Sequence, residues 1–149
     1  MEGLVLELIY KHEDLIELFQ DISPFNMKRD IKYLNKNHIS LDKVLQEIEA
    51  TLLSKNYDAV YESVSCVGKG NFVLIKVRIK NPQNNKGESS GFRVIGVVNE
   101  CEDHAFIFNL YPKDGANRKD DMTAEEEKKA KDLFKEISEW KFVRRIKNE

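Results

Sequence analysis

The chain has 149 residues, 41% of them hydrophobic and 34% charged, with a formal net charge of -2. That length suits one domain with one core, so residues 1–149 are expected to fold as a unit, and the composition is that of a globular rather than a disordered chain. No apolar run approaches the length that crosses a bilayer, which argues against a membrane role.

The N-terminus has neither a basic leading segment nor a small-residue cleavage site, so residues 3–10 are expected to form a strand and not a signal peptide. Over 12–22, Leu15, Leu18, Phe19 and Ile22 fall at helical spacing. Pro24 would stop that helix, because proline keeps the residue before it, Ser23, out of the helical region. A second helix is expected over 26–36, with Met27, Ile31 and Leu34 on one side. A third is expected over 41–54, N-capped by Ser40, with Leu41, Val44, Leu45, Ile48 and Leu52 as its apolar stripe.

Strands are expected over 59–66, 71–80, 91–99 and 104–111, and the short links between them suit antiparallel neighbours. The segments 81–90 and 113–122 are polar loops. Thr123 and Glu126 are spaced as a capping box that opens a last helix, with Ala130, Leu133, Phe134 and Ile137 on its buried side. Glu125, Glu126 and Glu127 at that helix start favour the helix dipole better than they suggest a metal cluster. The tail 141–149 carries Lys141, Arg144, Arg145 and Lys147, and reads either as a nucleic-acid contact or as a solvated extension of the helix. The expected fold class is α+β: an N-terminal strand and a helical hairpin packed on an antiparallel β-meander with a C-terminal helix.

The most informative stretch is 76–93, where Lys76, Arg78, Lys80, Lys86 and Arg93 gather around a single acid, Glu88, in a chain of slightly negative charge. Side chains alternate along a strand, so Val73, Ile75, Val77 and Ile79 would face a core while Lys76, Arg78 and Lys80 line the other side. Two readings are open for that row. One is a phosphate site, since arginine offers a planar fork to phosphate oxygens and lysine a point charge. The other is a solvated sheet face whose lysines block aggregation. Tyr111 ends an apolar strand before Pro112, and by simple alternation shares a face with Asn109 and Ile107. A tyrosine there could stack on a base, position a proton or cap the core rim.

His12, His38 and His104 are scattered, with no cysteine or carboxylate at metal-ligand spacing, and are expected to be surface or cap residues; no metal or other cofactor is expected. Cys66 and Cys101 do not make a disulfide framework, so a cytoplasmic location with both thiols reduced is the default.

Five short motifs then fall in a familiar order: Ile-Lys-Val-Arg-Ile over 75–79, Lys-Gly-Glu-Ser-Ser-Gly over 86–91, Phe-Arg-Val-Ile over 92–95, Tyr-Pro-Lys over 111–113 and Asp-Met-Thr-Ala-Glu over 121–125. The series resembles the RelE/HigB-type toxins of bacterial toxin–antitoxin systems over 71–137, and the start over 4–54 suits the same architecture. Glu88 departs from the family pattern by placing negative charge beside the cleft, and Asp114 stands where some relatives have another cation or a histidine. The resemblance implies a small RNase fold that cuts mRNA, often on the ribosome, and that pairs with a small antitoxin protein. It implies that Lys76, Arg78, Arg93 and Tyr111 are catalytic and that Lys80, Lys86 and Lys113 bind RNA. The implied reaction is metal-independent attack of the RNA 2′-OH on its own 3′ phosphate, with Lys76 or Tyr111 as the base. A non-catalytic interaction module and an RNA-binding domain without nuclease activity are the alternatives.

Overall fold

The computed structural model describes residues 4–12, 15–20, 24–55, 57–66, 70–82, 91–112, 122–139 and 142–146. In chain order these form β1 (Leu4–His12), β2 (Ile16–Gln20), α1 (Met27–Lys36), α2 (Leu41–Leu53), β3 (Asp58–Cys66), β4 (Gly70–Ile79), β5 (Phe92–Asn99), β6 (His104–Pro112), α3 (Ala124–Ser138) and β7 (Phe142–Ile146). The fold is α+β, with one sheet in the order β3-β4-β5-β6-β2-β1-β7. The run from β3 to β6 is the antiparallel meander that the short links require. The flanks are mixed: β2 runs parallel to β6, and β7 parallel to β1.

The helices cover both faces of this sheet. On one side, Met27 and Leu34 of α1 and Val44, Leu45 and Ile48 of α2 pack on Val73, Ile75, Val77 and Ile79 of β4 and on Phe92 and Val94 of β5. On the other side, Ala130, Leu133, Phe134 and Ile137 of α3 pack on Phe72, Leu74, Ile95, Val97 and Phe106. With helices on both faces, β5 is buried along its whole length. A doubly covered strand needs apolar residues at successive positions, which is how Val94 to Val98 read, with Arg93 the charged exception. Each fully buried Leu, Ile or Phe contributes about 1.5–3 kcal/mol relative to exposure.

Local signals set the helix ends. The Arg29 N–H donates to Asn26 Oδ1 at 2.9 Å at the start of α1, and the Lys43 N–H to Ser40 Oγ at 3.3 Å at the start of α2. At α3 the capping box is closed in both directions. The Glu126 N–H donates to Thr123 Oγ1 at 3.1 Å, and the Thr123 N–H to Glu126 Oε1 at 2.8 Å.

Three expectations are corrected. The segment expected to be a helix over 12–22 holds the strand β2, inserted between β1 and β6. Its apolar residues split between the two faces, Ile16 and Leu18 towards α1 and α2, Phe19 towards α3, so the spacing that resembled a helical stripe serves two cores. Tertiary pairing overrides the local pattern. The basic tail is not a helical extension: residues 142–146 form the edge strand β7, with Arg144 and Arg145 in register with Leu6 and Glu7 of β1. The third correction concerns β6. Ile95 and Gly96 of β5 pair with Asn109 and Ile107, leaving Phe108 as an extra residue in a β-bulge. The bulge resets the alternation, so Tyr111 joins Phe106 and Phe108 on the α3 face, while Ile107 and Leu110 face α1 and α2.

Two close approaches hold these strands. A Cβ on Gly91 would lie 1.9 Å from the Ile79 carbonyl oxygen, and one on Gly96 would lie 2.6 Å from the Phe106 carbonyl oxygen. Glycine at 91 lets the start of β5 meet the end of β4 just before Arg93, and glycine at 96 admits the bulge. On the α1 side, the buried Asp30 carboxylate accepts the Leu110 N–H at 2.9 Å, one residue past Asn109.

Candidate nucleic-acid interface

The sheet brings four of the seven sequence-derived site residues to one face. Arg78 on β4 is in register with Arg93 on β5, and Arg93 with Tyr111 on β6, so the three form one cross-strand row. The next row contains Lys76 opposite Ile95, and Ile95 opposite Asn109. Cross-strand partners share a face, and Ile95 and Tyr111 pack on the α3 side. Lys76, Arg78, Arg93 and Tyr111 therefore point to the same side of the sheet, at the end where β4 finishes and β5 begins. Alternation along β4 leaves Phe72 and Leu74 under α3 and sends Lys76 and Arg78 past them on the same face.

Exposure falls along the row. Arg78 is exposed, Lys76 is half-buried, and Arg93 and Tyr111 are 6% and 4% exposed. Arg93 Nη1 donates to the Phe92 carbonyl oxygen at 3.3 Å. An arginine keeps its charge in any protein setting, so this guanidinium is a fixed, buried cation. Arg78 directly opposite Arg93 is unfavourable by itself, because like charges at a cross-strand pair repel. An anion held between the two would offset that repulsion. Lys80 is exposed just beyond β4. Lys86 and Lys113, expected to bind RNA, lie outside the described residues.

Some polar residues of interest escaped the reading of the sequence. Asn109 is 1% exposed and its Nδ2 has no hydrogen-bond partner, which leaves a buried amide donor in the Lys76 row. Glu17 is 2% exposed, and its Oε2 lies 2.5 Å from His104 Nε2, close but not aligned as a hydrogen bond. The His104 ring stacks on Phe106 with centroids 4.7 Å apart. The available signal was a lone polar residue inside an apolar strand run: Asn109 within Phe106 to Tyr111, and Glu17 within Ile16 to Phe19.

The expectation that all three histidines are surface or cap residues is corrected for two of them. His104 sits against the buried Glu17, and His12 Nε2 lies 3.1 Å from Glu49 Oε1 on α2. His38 follows the end of α1, as a cap residue would. None of the three stands in the Arg78–Arg93–Tyr111 row or the Lys76 row.

Among the described residues, no three His, Cys, Asp or Glu side chains group so as to hold a metal ion, and no helix is long and apolar enough to cross a membrane. Compared with protein-family models, curated proteins and solved structures, the chain matches none of them.

Proposed function

We propose that the protein is an mRNA-cleaving endoribonuclease of the RelE/HigB toxin type, working in the cytoplasm and held in check by a cognate antitoxin protein. The observation that supports this reading is the row Arg78–Arg93–Tyr111 with Lys76 beside it, all on one sheet face. The alternative, charges spread over a solvated sheet surface, fits the exposed Arg78 and Lys80 but not Arg93, which is 6% exposed. A phosphate between Arg78 and Arg93 would accept from both guanidinium groups.

In the reaction the RNA 2′-OH attacks the adjacent phosphorus, the P–O5′ bond breaks, and the products are a 2′,3′-cyclic phosphate and a free 5′-OH. Negative charge builds on the non-bridging oxygens as the attack proceeds. Arg78 and Arg93 would stabilise that charge from fixed positions, the kind of preorganised electrostatic contribution that dominates many such reactions. Lys76 or Tyr111, acting only in its deprotonated form, would take the 2′-OH proton, and a proton returns to the leaving 5′ oxygen. Dependence on the 2′-OH restricts the activity to RNA.

A second reading, RNA binding without cleavage, is favoured by two observations: the three histidines stand away from the row, and Tyr111 is 4% exposed. One experiment separates the two. Purified protein is incubated with a labelled single-stranded RNA in excess chelator, and the ends of any fragments are determined. Cyclic-phosphate and 5′-OH ends, with the rate falling at least tenfold for Arg78→Ala while the circular dichroism spectrum is unchanged, would support the nuclease. Bound but intact RNA, with affinity falling steeply as salt rises, would leave only the binding reading. Cleavage at the same rate in Arg78→Ala and Lys76→Ala would remove the site assignment.

A further inference from the structure

Helix α1 shows solvent a face of one charge sign. Lys28, Arg29, Lys32 and Lys36 are exposed, whereas Asp30, the one acid of the helix, is buried and accepts the Leu110 N–H. At about 3.6 residues per turn the four cations fall within an arc of about 100°, opposite the buried Met27, Asp30 and Leu34, and the row from Lys28 to Lys36 is about 12 Å long. Among the described residues none of these three lysines has an ion-pair partner, and Arg29 has only the buried Asp30, at 3.8 Å. Lys28, Lys32 and Lys36 are successive neighbours four apart, and like charges at that spacing repel. Helix α3 avoids this arrangement. Its exposed Glu125, Glu127, Lys128, Lys131, Asp132 and Lys135 mix the signs, and Lys131 Nζ lies 3.7 Å from Glu127 Oε1. An unneutralised cationic stripe in a chain of net charge -2 calls for an anion from outside.

We propose that this face of α1 binds the sugar–phosphate backbone of a nucleic acid, as a surface separate from the Arg78–Arg93 row and without selecting base sequence. Four clustered cations give a local positive potential that attracts a polyanion in spite of the net charge. The make-up of the face selects among polyanions. It offers no large apolar side chain to enter a lipid surface or to anchor a protein interface, since the one exposed large hydrophobic residue among the described residues is Leu53, at the end of α2. It offers no free aromatic ring to stack on a base either, because Tyr33 is half-buried edge-on against Phe92. Phosphates remain, and they carry no sequence information.

This surface lies on the face of the sheet away from the row but at the same end. Asp30 bonds to Leu110 and Tyr33 packs on Phe92, the residues just before Tyr111 and Arg93. The exposed Lys80 stands at that end as well. Binding at α1 requires no chemistry, so the proposal stands whether or not the row cuts RNA.

The test is fluorescence anisotropy of the full chain with short labelled single strands of RNA and of DNA, each in two unrelated sequences. The triple variant Lys28→Gln, Lys32→Gln, Lys36→Gln is compared with Lys128→Gln, Lys131→Gln, Lys135→Gln on α3, which removes the same charge. All six positions are exposed and glutamine is close to lysine in helix propensity, so both triples are expected to fold. The α1 triple should lose at least about tenfold in affinity for all four strands, and its slope of log affinity against log salt should be shallower by about 2, as for three lost phosphate contacts. The α3 triple should change less than about twofold. This result without any cleavage by the wild type would uphold the α1 surface and defeat the nuclease reading. The proposal is overturned by equal losses in the two triples, by unchanged affinity in the α1 triple, or by a wild-type chain that binds neither RNA nor DNA at low salt. Affinity lost in Arg78→Ala and kept in the α1 triple would overturn it too. So would binding to vesicles of anionic lipid, but not to nucleic acid, that the α1 triple loses, since the face would then be a membrane contact.

Discussion

Asp30 connects the fold to the candidate site, and its removal has a calculable consequence. Its carboxylate is 6% exposed and accepts the N–H of Leu110, itself 4% exposed, at 2.9 Å, beside the bulge that turns Tyr111 towards Arg93. A hydrogen bond to a charged group is worth about 1.5–3 kcal/mol, and a buried donor left without an acceptor is penalised by about 1–3 kcal/mol. Asp30→Ala should therefore lower stability by about 2–3 kcal/mol. In a chain of this size each kcal/mol lowers the Tm by about 2–4 °C, so the loss is about 4–12 °C. Asp30→Asn keeps an acceptor oxygen and should lose only about 1 kcal/mol. Arg29, 64% exposed with its Nη2 3.8 Å from Asp30 Oδ1, is the control: Arg29→Ala should change stability by less than about 0.5 kcal/mol. Urea titrations followed by circular dichroism give these differences at a common slope. Hydrogen exchange at the Leu110 amide should speed up in Asp30→Ala ahead of its β5 neighbours. If Asp30→Ala and Arg29→Ala were equally stable, the carboxylate would not be holding the bulge.

Three further outcomes follow from the same structure. Gly91→Ala would set a Cβ 1.9 Å from the Ile79 carbonyl oxygen, so the backbone must shift; a loss of about 1–3 kcal/mol is expected in the same titrations, as in other overpacked sites. His38→Gly should stabilise by about 0.5–1 kcal/mol, since His38 holds a φ of 58° just past the end of α1, where a side chain is strained and glycine is not; a lower Tm would contradict this. Phe134→Ala removes a side chain that is 2% exposed beneath α3 and should cost about 3–5 kcal/mol, whereas Lys128→Ala, on the exposed side of the same helix, should stay within about 0.5 kcal/mol.

Much of the architecture is legible in local chemistry. Ser40 and the pair Thr123 and Glu126 mark helix starts that depend only on neighbouring backbone groups, and their bonds form as those residue types dictate. The strands of the meander are legible because short polar links leave antiparallel pairing as the ready solution. The alternation in β4 likewise separates Lys76 and Arg78 from Val73, Ile75, Val77 and Ile79 without knowledge of any partner.

Other features depend on residues far away in sequence. The periodicity of residues 12–22 fits a helix, yet β2 is a strand because β1 and β6 supply its backbone partners and both faces find a core. The basic tail pairs with the first strand of the chain, nearly the full sequence length away. Tyr111 reaches the Arg93 face only because an extra residue at Phe108 breaks the alternation, a step that carries no local signal. The amino-acid sequence by itself determined the three helices, the strands β1 and β3 to β6 and the cationic face of β4, since those rest on contacts a few residues apart. Which strands stand side by side, and so which charges meet across them, was decided by the tertiary structure, because register is set by distant partners burying their apolar sides together.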